Sequence, residues 1–185
     1  MIQFLRENSK IWHEKAEANN TAKFIIDHSI TIDQYKLLII KYYEIYAGIE
    51  LFLRKNKSIA AVWLLEYMGT EKTDLLLKDL EALKITPPEI NINLAITDTK
   101  INHLIGAIYT IEGSMLGGQL IARNITECPN LKEVSDFYFF GKQKPANLMK
   151  KWKSFCNTLK ETPFSETEKK EALEASVQVF ELFSR

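Results

Sequence analysis

Three histidines and a cluster of glycines are the residues of this chain whose type and spacing point to chemistry. The histidines are His13, His28 and His103, and a lone histidine on a helix is more often a surface or core residue than a metal ligand. His13 differs from the other two in its neighbours, because Arg6 precedes it by seven residues and Glu17 follows it by four. On a helix these spacings put all three side chains on one face.

The spacing around His13 is compatible with a heme site. At 1.5 Å per residue, Arg6 lies about 10 Å from His13 along the helix axis. An imidazole at one point can bind the iron while a guanidinium at the other pairs with a propionate. A carboxylate such as Glu17 can orient the imidazole ring. The pattern permits heme without requiring it.

Four of the seven glycines, Gly106, Gly113, Gly117 and Gly118, fall within one predicted helix. Each glycine in a helix interior costs roughly 0.8–1 kcal/mol relative to alanine, so the last three cost on the order of 2–3 kcal/mol together. Two explanations stay open. The glycines either permit a tight helix–helix crossing or leave bare backbone for a flat ligand, with a kink that makes room for it.

Other catalytic patterns are missing from the sequence. It contains no Glu-x-x-His pair, no Gly-x-Ser-x-Gly elbow, no Walker loop and no dinucleotide fingerprint. Its two cysteines, Cys128 and Cys156, match no zinc spacing and are too few for a disulfide scaffold. This use of cysteine is typical of a reducing cytosol, so we expect a cytoplasmic protein.

The composition indicates one soluble globular domain. The chain has 185 residues, of which 46% are hydrophobic and 26% charged. Lys plus Arg and Asp plus Glu both number 24, so neither nucleic acid nor an anionic membrane surface is an expected partner. No uncharged run approaches the ~20 residues of a membrane span, and charges within the first twelve residues argue against a signal peptide.

Helical periodicity dominates the sequence. Thr31 and Gln34 are spaced as a capping box before a long helix whose apolar positions continue to Leu53. Ser165 and Glu168 form the same pattern before a last helix. Further helices are predicted over residues 2–19, 60–83 with an interruption near residue 69, 99–125, 132–140 and 146–160, with a loop over 85–97. We therefore expect a single all-α domain of about seven helices over residues 1–185.

Three segments resemble the heme oxygenase family. Residues 5–17, in which His13 precedes Ala16-Glu17, resemble the first helix of these enzymes, whose proximal histidine precedes an Ala-Glu pair. Residues 112–119, Glu-Gly-Ser-Met-Leu-Gly-Gly-Gln, resemble their glycine-rich distal helix, and residues 35–46 their second helix. The similarity is closest to bacterial biliverdin-producing members associated with bacteriophytochromes. It implies an all-α, single-domain, multi-helical heme oxygenase-like fold.

The resemblance also implies roles for individual residues. His13 matches the proximal iron ligand, and Arg6 matches a basic residue that binds a propionate. Gly113 and Gly117 match glycines that lie against the distal face of the heme and let the helix kink. The predicted cofactor-binding set further contains Glu17, Tyr109, and Lys150 and Lys153 of the late helix that supplies basic partners for the other propionate.

Ser114 departs from the family pattern, because many heme oxygenases have an aspartate directly after the first distal glycine. A hydroxyl can hold a water molecule but cannot act as an anionic anchor. Glu112 is rotated about 100° from the face of Gly113. The predicted catalytic residues are therefore His13, Gly113 and Ser114, with protons delivered through water held by Ser114 and by backbone groups freed at the kink.

The function implied by the resemblance is oxidative opening of heme, by O₂ and supplied electrons, to biliverdin, iron and carbon monoxide. Heme b is then both substrate and cofactor, and the electron donor is another protein, such as a ferredoxin or a reductase. Two alternatives remain. One is a non-catalytic heme carrier or sensor of the same fold, which Ser114 favours. The other is a ligand-free helical interaction module in which the glycines serve only packing.

Overall fold

The computed structural model describes residues 1–141 and 144–185 and contains no strand in that part of the chain. The α-helices are α1 Ile2–Asn8, α2 Lys10–Asn19, α3 Lys23–Ile26, α4 Ile32–Lys55, α5 Glu71–Ala82, α6 Ile101–Asn124, α7 Tyr138–Gly141, α8 Pro145–Glu161 and α9 Glu166–Ser184. Short 3₁₀ helices cover Lys57–Ile59, Val62–Tyr67, Ile125–Glu127 and Pro129–Leu131. The all-α prediction is confirmed.

Both predicted capping boxes are present. The Thr31 hydroxyl accepts the Gln34 amide N–H at 3.2 Å, and the Gln34 side chain accepts the Thr31 N–H at 2.9 Å. Ser165 and Glu168 make the same reciprocal pair at the start of α9. Each box satisfies two amides that the first turn of a helix leaves without partners, which is why the sequence located these two starts correctly.

Several boundaries differ from the sequence prediction. The first helix is divided at Ser9, whose hydroxyl bonds to the Leu5 carbonyl oxygen, and the short α3 follows it. The first half of the predicted 60–83 helix is 3₁₀ rather than α, and only residues 138–140 of the predicted 132–140 segment are α-helical. The described residues therefore form nine α-helices where about seven were predicted.

One of the two longest helices, α6, packs most extensively against α9. At Gly106 the two backbones approach so closely that an added Cβ would lie 1.9 Å from the carbonyl oxygen of Ala172. Gly106 thus serves the helix crossing that was one of the two explanations for the glycines. The helix is continuous from Ile101 to Asn124, and the kink expected at Gly113 stays a prediction.

The α6 segment is also long and apolar enough to cross a membrane by length and composition. Over half of its most apolar stretch is buried against other helices of the domain. A core helix of a globular protein has the same properties, so this feature does not indicate a membrane protein.

Candidate functional site

A cavity of about 450 Å³ separates α2 from the second half of α6. This volume lies within the range of small-molecule and cofactor sites. We call it the α2/α6 cavity. Its lining comes from α2 and α3 on one side, from α6 on the other, and from α4, α7 and α9 at the inner end. The lining residues that determine its chemistry are His13, Glu17, Asn20, Lys23, Tyr42, Tyr46, Gly113, Ser114, Gly117, Gly118, Phe139, Phe140, Phe180 and Phe183.

His13 lines this cavity from α2, and its side chain is 53% exposed. Its Nδ1 lies 3.6 Å from Oε2 of Glu17, which is too long for a good hydrogen bond but within reach of an ion pair. The edge of its ring meets Phe180 of α9, with 5.5 Å between ring centroids. The imidazole therefore has Glu17 on one side and the Phe180 ring on another. Its Nε2 atom is the ring nitrogen that does not face Glu17.

The other two histidines are engaged elsewhere and do not line the cavity. His28 bonds to the side chain of Asn124 at 3.0 Å. His103 is buried at the start of α6, where its Nδ1 accepts the Lys100 amide N–H at 2.9 Å. Because all three histidines lie in the described part of the chain, His13 is the one imidazole that a ligand in this cavity can reach.

Across the cavity, the glycines of α6 leave open space. A Cβ added at Gly117 or Gly118 would meet no atom within 4 Å, and one at Gly113 would lie 3.6 Å from the Trp152 ring of α8. These positions contrast with Gly106, where the backbone of α9 fills the space. The glycines therefore divide into Gly106, which permits helix packing, Gly113, whose Cβ position contacts Trp152, and Gly117 and Gly118, which line the cavity beside open space.

Ser114 also lines the cavity and has a polar partner that the sequence prediction missed. Its Oγ lies 2.7 Å from the hydroxyl of Tyr46, and it also donates to the Ile111 carbonyl oxygen at 2.8 Å. Burial raises the pKa of Tyr46 well above its ordinary value, and the nearby Tyr42, Glu112 and Glu50 raise it further, so this phenol keeps its proton. Either hydroxyl can be the donor in the Tyr46–Ser114 bond, because Tyr46 also has an acceptor of its own, the sulfur of Met115 at 3.5 Å.

The inner end of the cavity is an aromatic wall, formed by Tyr42, Tyr46, Phe139, Phe140 and Phe183. Ring centroids within this wall are 5.0–6.0 Å apart, in tilted or edge-on contacts. Such spacings are favourable for aromatic pairs. The hydroxyl of Tyr42 accepts a hydrogen bond from the Asn20 side chain at 2.7 Å, which ties the wall to the end of α2.

Glu112 lies on the opposite side of α6, as the helical spacing predicted. Its carboxylate is 3% exposed and pairs with Lys72 of α5 at 2.7 Å and with Lys151 of α8 at 3.4 Å. These residues line a second, charged cavity of about 530 Å³. No carboxylate of α6 therefore faces the α2/α6 cavity.

Comparison with known proteins gives the family. The family model described as "Heme oxygenase" matches residues 1–185. The chain belongs to the heme oxygenase family. Among solved structures, it resembles the heme oxygenase of Neisseria meningitidis, crystallised with NO and CO bound, with a TM-score of 0.67 and 16% sequence identity over 97% of this chain and 85% of that one. At this identity the match supports the fold. A search of curated proteins returned no match.

The residues of this heme oxygenase fit its substrate. The α2/α6 cavity presents one imidazole on one side and bare glycine backbone on the other, between largely apolar surfaces. A flat, mostly apolar ring with an iron centre requires this combination of groups. Five predicted site residues line the cavity, namely His13, Glu17, Gly113, Ser114 and Gly117.

The four other predicted residues of this heme oxygenase do not line the cavity. Burial raises the pKa of Tyr109, while a hydrogen bond with Ser9 and the positive charge of Arg6 oppose the rise, so Arg6 is close enough to Tyr109 for its charge to act on the phenol. Lys150 and Lys153 are exposed on α8. Their predicted contacts with propionates stay predictions.

The cavity residues that sequence reasoning missed are mainly aromatic. Tyr42 and Tyr46 fit the apolar stripe of α4, so the sequence analysis assigned them to the core. Their hydroxyls could have indicated a polar site, because a buried phenol normally requires a hydrogen-bond partner. Leu or Phe would fill the same space without one. Phe139, Phe140 and Phe183 carry no such signal.

Proposed function

We propose that the α2/α6 cavity binds heme b as substrate and cofactor, with His13 as the proximal iron ligand and Gly113 and Gly117 against the opposite heme face. The proposed products are biliverdin, iron and carbon monoxide. The observation that supports this most directly is that the single accessible imidazole and the open glycine backbone face one cavity from opposite helices.

His13 is suited to its proposed role by its surroundings. Glu17 lies beside Nδ1, so Nε2 is the nitrogen available for iron. A carboxylate next to the other ring nitrogen of a metal-bound histidine fixes the tautomer and raises its basicity. The Phe180 edge limits rotation of the ring. We infer that these two contacts hold the imidazole in place before heme enters.

On the distal side, Ser114 and Tyr46 supply the polar groups. Bound heme provides the iron that reacts with O₂ and the ring that is oxidised, with electrons from a donor protein. The hydroxyl protons of Ser114 and Tyr46 have acceptors in each other, in the Ile111 carbonyl oxygen and in the Met115 sulfur, so the pair keeps acceptor lone pairs for a water molecule. A water that donates to the pair has its remaining hydrogen free to carry a proton toward the reacting side of the cavity.

The Tyr46 hydroxyl adds a polar group that the sequence analysis did not identify. It is a second partner for the water beside Ser114, and the predicted contribution of backbone groups freed at a kink stays a prediction. Glu112 does not take part, because it is paired with Lys72 on the far side of the helix. The aromatic wall excludes bulk water from the inner end of the cavity.

We propose that the propionates of the heme interact with Arg6 of α1, whose charge acts on Tyr109 of α6, and with Lys150 and Lys153 of α8. The Lys side chains would act as point charges without the bidentate geometry of arginine. The electron donor is proposed to be a ferredoxin or a reductase, in the cytoplasm, and the link to bilin photoreceptors stays a prediction.

Hemin titration followed by turnover tests the function. Added hemin should give a Soret band that saturates at one heme per chain. Addition of a ferredoxin–reductase system and O₂ should then convert this band to the absorption of biliverdin, identified by chromatography. A saturating Soret band without biliverdin would support the carrier or sensor alternative, and no band at all would support the ligand-free module.

A further inference from the structure

Asp79 of α5 makes a polar contact with α7 that the function described above does not use. Its side chain is buried, and each carboxylate oxygen accepts one backbone amide of α7. Oδ1 accepts the Tyr138 N–H at 2.7 Å, and Oδ2 accepts the Phe139 N–H at 2.8 Å. Asp79 therefore satisfies two amides that the start of a helix leaves without intrahelical partners.

The short α7 depends on such contacts for its position. A helix of four residues, Tyr138–Gly141, has one turn and little stability of its own. It nevertheless carries Phe139 and Phe140, both buried in the aromatic wall of the α2/α6 cavity. The Phe139 ring meets Tyr46 at 5.1 Å and Tyr42 at 5.8 Å between centroids.

The chemistry of Asp79 supports a role in placing this helix. A buried carboxylate is costly unless hydrogen bonds compensate for lost hydration. Burial raises the pKa of Asp79 to about 6, while the amides of Phe139 and Tyr138 lower it, so the two capping bonds act against the cost of burial. Both oxygens are directed at one short segment, which gives the contact a fixed geometry.

We infer that Asp79 is a positioning residue that holds α7 so that Phe139 and Phe140 form the inner wall of the heme cavity. The inference rests on the proposed function, because it assumes that heme binds in this cavity. The wall would then determine which edge of the heme lies innermost. Asp79 itself does not line the cavity. Its effect is carried by two backbone hydrogen bonds and the two rings that they place.

Asp79→Asn tests this inference at pH 8, where the wild-type carboxyl is ionised. The amide has nearly the same shape, but its NH₂ group faces one of the two N–H donors and so one capping bond is lost. We expect unchanged far-UV circular dichroism, weaker near-UV aromatic bands in the heme-free protein, and hemin affinity lowered on the order of tenfold. The ratio of the two heme orientations in proton NMR spectra should change, together with the distribution of biliverdin isomers.

Leu159→Ala is the matched control. Leu159 is buried in α8 and lines neither cavity, so its truncation lowers the melting temperature without touching α7 or its cap. This variant should keep the wild-type heme orientation ratio and isomer distribution. If it changes them as much as Asp79→Asn does, general destabilisation explains both results and the inference is overturned.

Hydrogen exchange of the wild-type apoprotein gives a test that does not depend on how a variant folds. The Tyr138 and Phe139 amides should exchange at least roughly a hundredfold more slowly than in an unstructured chain. Free exchange at both amides, or wild-type near-UV bands and heme orientations in Asp79→Asn, would overturn the inference. If the wild type binds no hemin, the proposed function fails, while the near-UV and exchange results still decide whether Asp79 holds the wall.

Discussion

Single residues give the two sides of the α2/α6 cavity different chemistry. His13 is the imidazole on one side, and on the other side Ser114 stands where many heme oxygenases have an aspartate. The Tyr46 hydroxyl is hydrogen-bonded to Ser114, and in the proposed function the two hydroxyl oxygens accept from one water molecule. The sequence identified Ser114 from its place beside Gly113, but its partner is 68 residues away and could not be found from spacing.

The distal pair should be partly redundant. Ser114→Ala is expected to slow ring opening by about two- to tenfold, the value of one hydrogen bond, because Tyr46 still holds the water. Ser114→Ala combined with Tyr46→Phe should slow it further, measured as single-turnover decay of the Soret band. Tyr43→Phe, a buried tyrosine of α4 outside the cavity, is the control. No effect of Ser114→Ala, with loss of biliverdin in Glu112→Gln, would refute the water proposal.

A substitution at Gly117 distinguishes a role of this residue in heme binding from a role in folding. Its added Cβ would meet no atom, so Gly117→Leu should leave the melting temperature of the heme-free protein unchanged or slightly raised, since leucine favours helix. The side chain would project into the space proposed for heme, and the hemin dissociation constant should rise at least roughly tenfold. A lower melting temperature of the apoprotein with unchanged hemin affinity would support a packing role instead.

At the scale of elements, the sequence predicted what local patterns control. The capping boxes at Thr31 and Ser165 and the apolar stripe of α4 are local signals, and the structure confirms these elements. The division at Ser9 and the 3₁₀ helix at Val62–Tyr67 depend on tertiary packing, which overrides weak local propensity. The sequence could not show whether the glycines of α6 permit a tight helix crossing or leave bare backbone for a ligand. Only the position of α9 shows that Gly106 serves a helix crossing.

The two classes of glycine predict opposite effects of the same substitution. Gly106→Ala should destabilise the apoprotein by about 1–3 kcal/mol, because the new methyl group collides with the Ala172 carbonyl oxygen of α9. Gly118→Ala should stabilise it by about 0.5–1 kcal/mol, because the position is open and alanine is the better helix former. Urea unfolding of the two variants measures both, and equal effects would contradict the division of the glycines.

At the scale of the whole molecule, buried charges tie the helices together. Glu112 joins α6 to α5 and α8 through two lysines, and Asp79 joins α5 to α7 through two amides. In the sequence these residues belong to ordinary amphipathic helices, where a carboxylate normally faces water. Their burial follows from the packing of distant segments, so the sequence predicted the all-α fold and five of the residues that line the cavity but not these links.

Asp79 should give the stability of the protein a measurable pH dependence. Its folded pKa of about 6 lies above the ordinary 3.8, and burial is the main cause, with Asp136 contributing. The unfolded chain therefore loses this proton first, and stability falls as pH rises from about 4 to 6. The loss is at most about 3 kcal/mol, at 1.36 kcal/mol for each pH unit between the two pKa values.

Comparison with Asp79→Asn isolates this contribution, because other titrating groups, including Tyr35 near Asp79, are common to both proteins. The free energy of unfolding of the wild type minus that of the variant should decrease between pH 4.5 and pH 7.5 in urea titrations. A difference that is constant over this range would show that Asp79 titrates normally in the folded protein.

The central claim is that His13 binds the heme iron, and the spectrum of the ferrous–CO complex tests it most directly. His13→Ala should change this spectrum and abolish turnover, and added imidazole should restore both, because the cavity opened by the substitution can hold a free ligand. His28→Ala and His103→Ala, which alter histidines bonded to Asn124 and to the Lys100 amide, should keep the wild-type spectrum. An unchanged ferrous–CO spectrum in His13→Ala, with a changed one in either control, would contradict the assignment of the site.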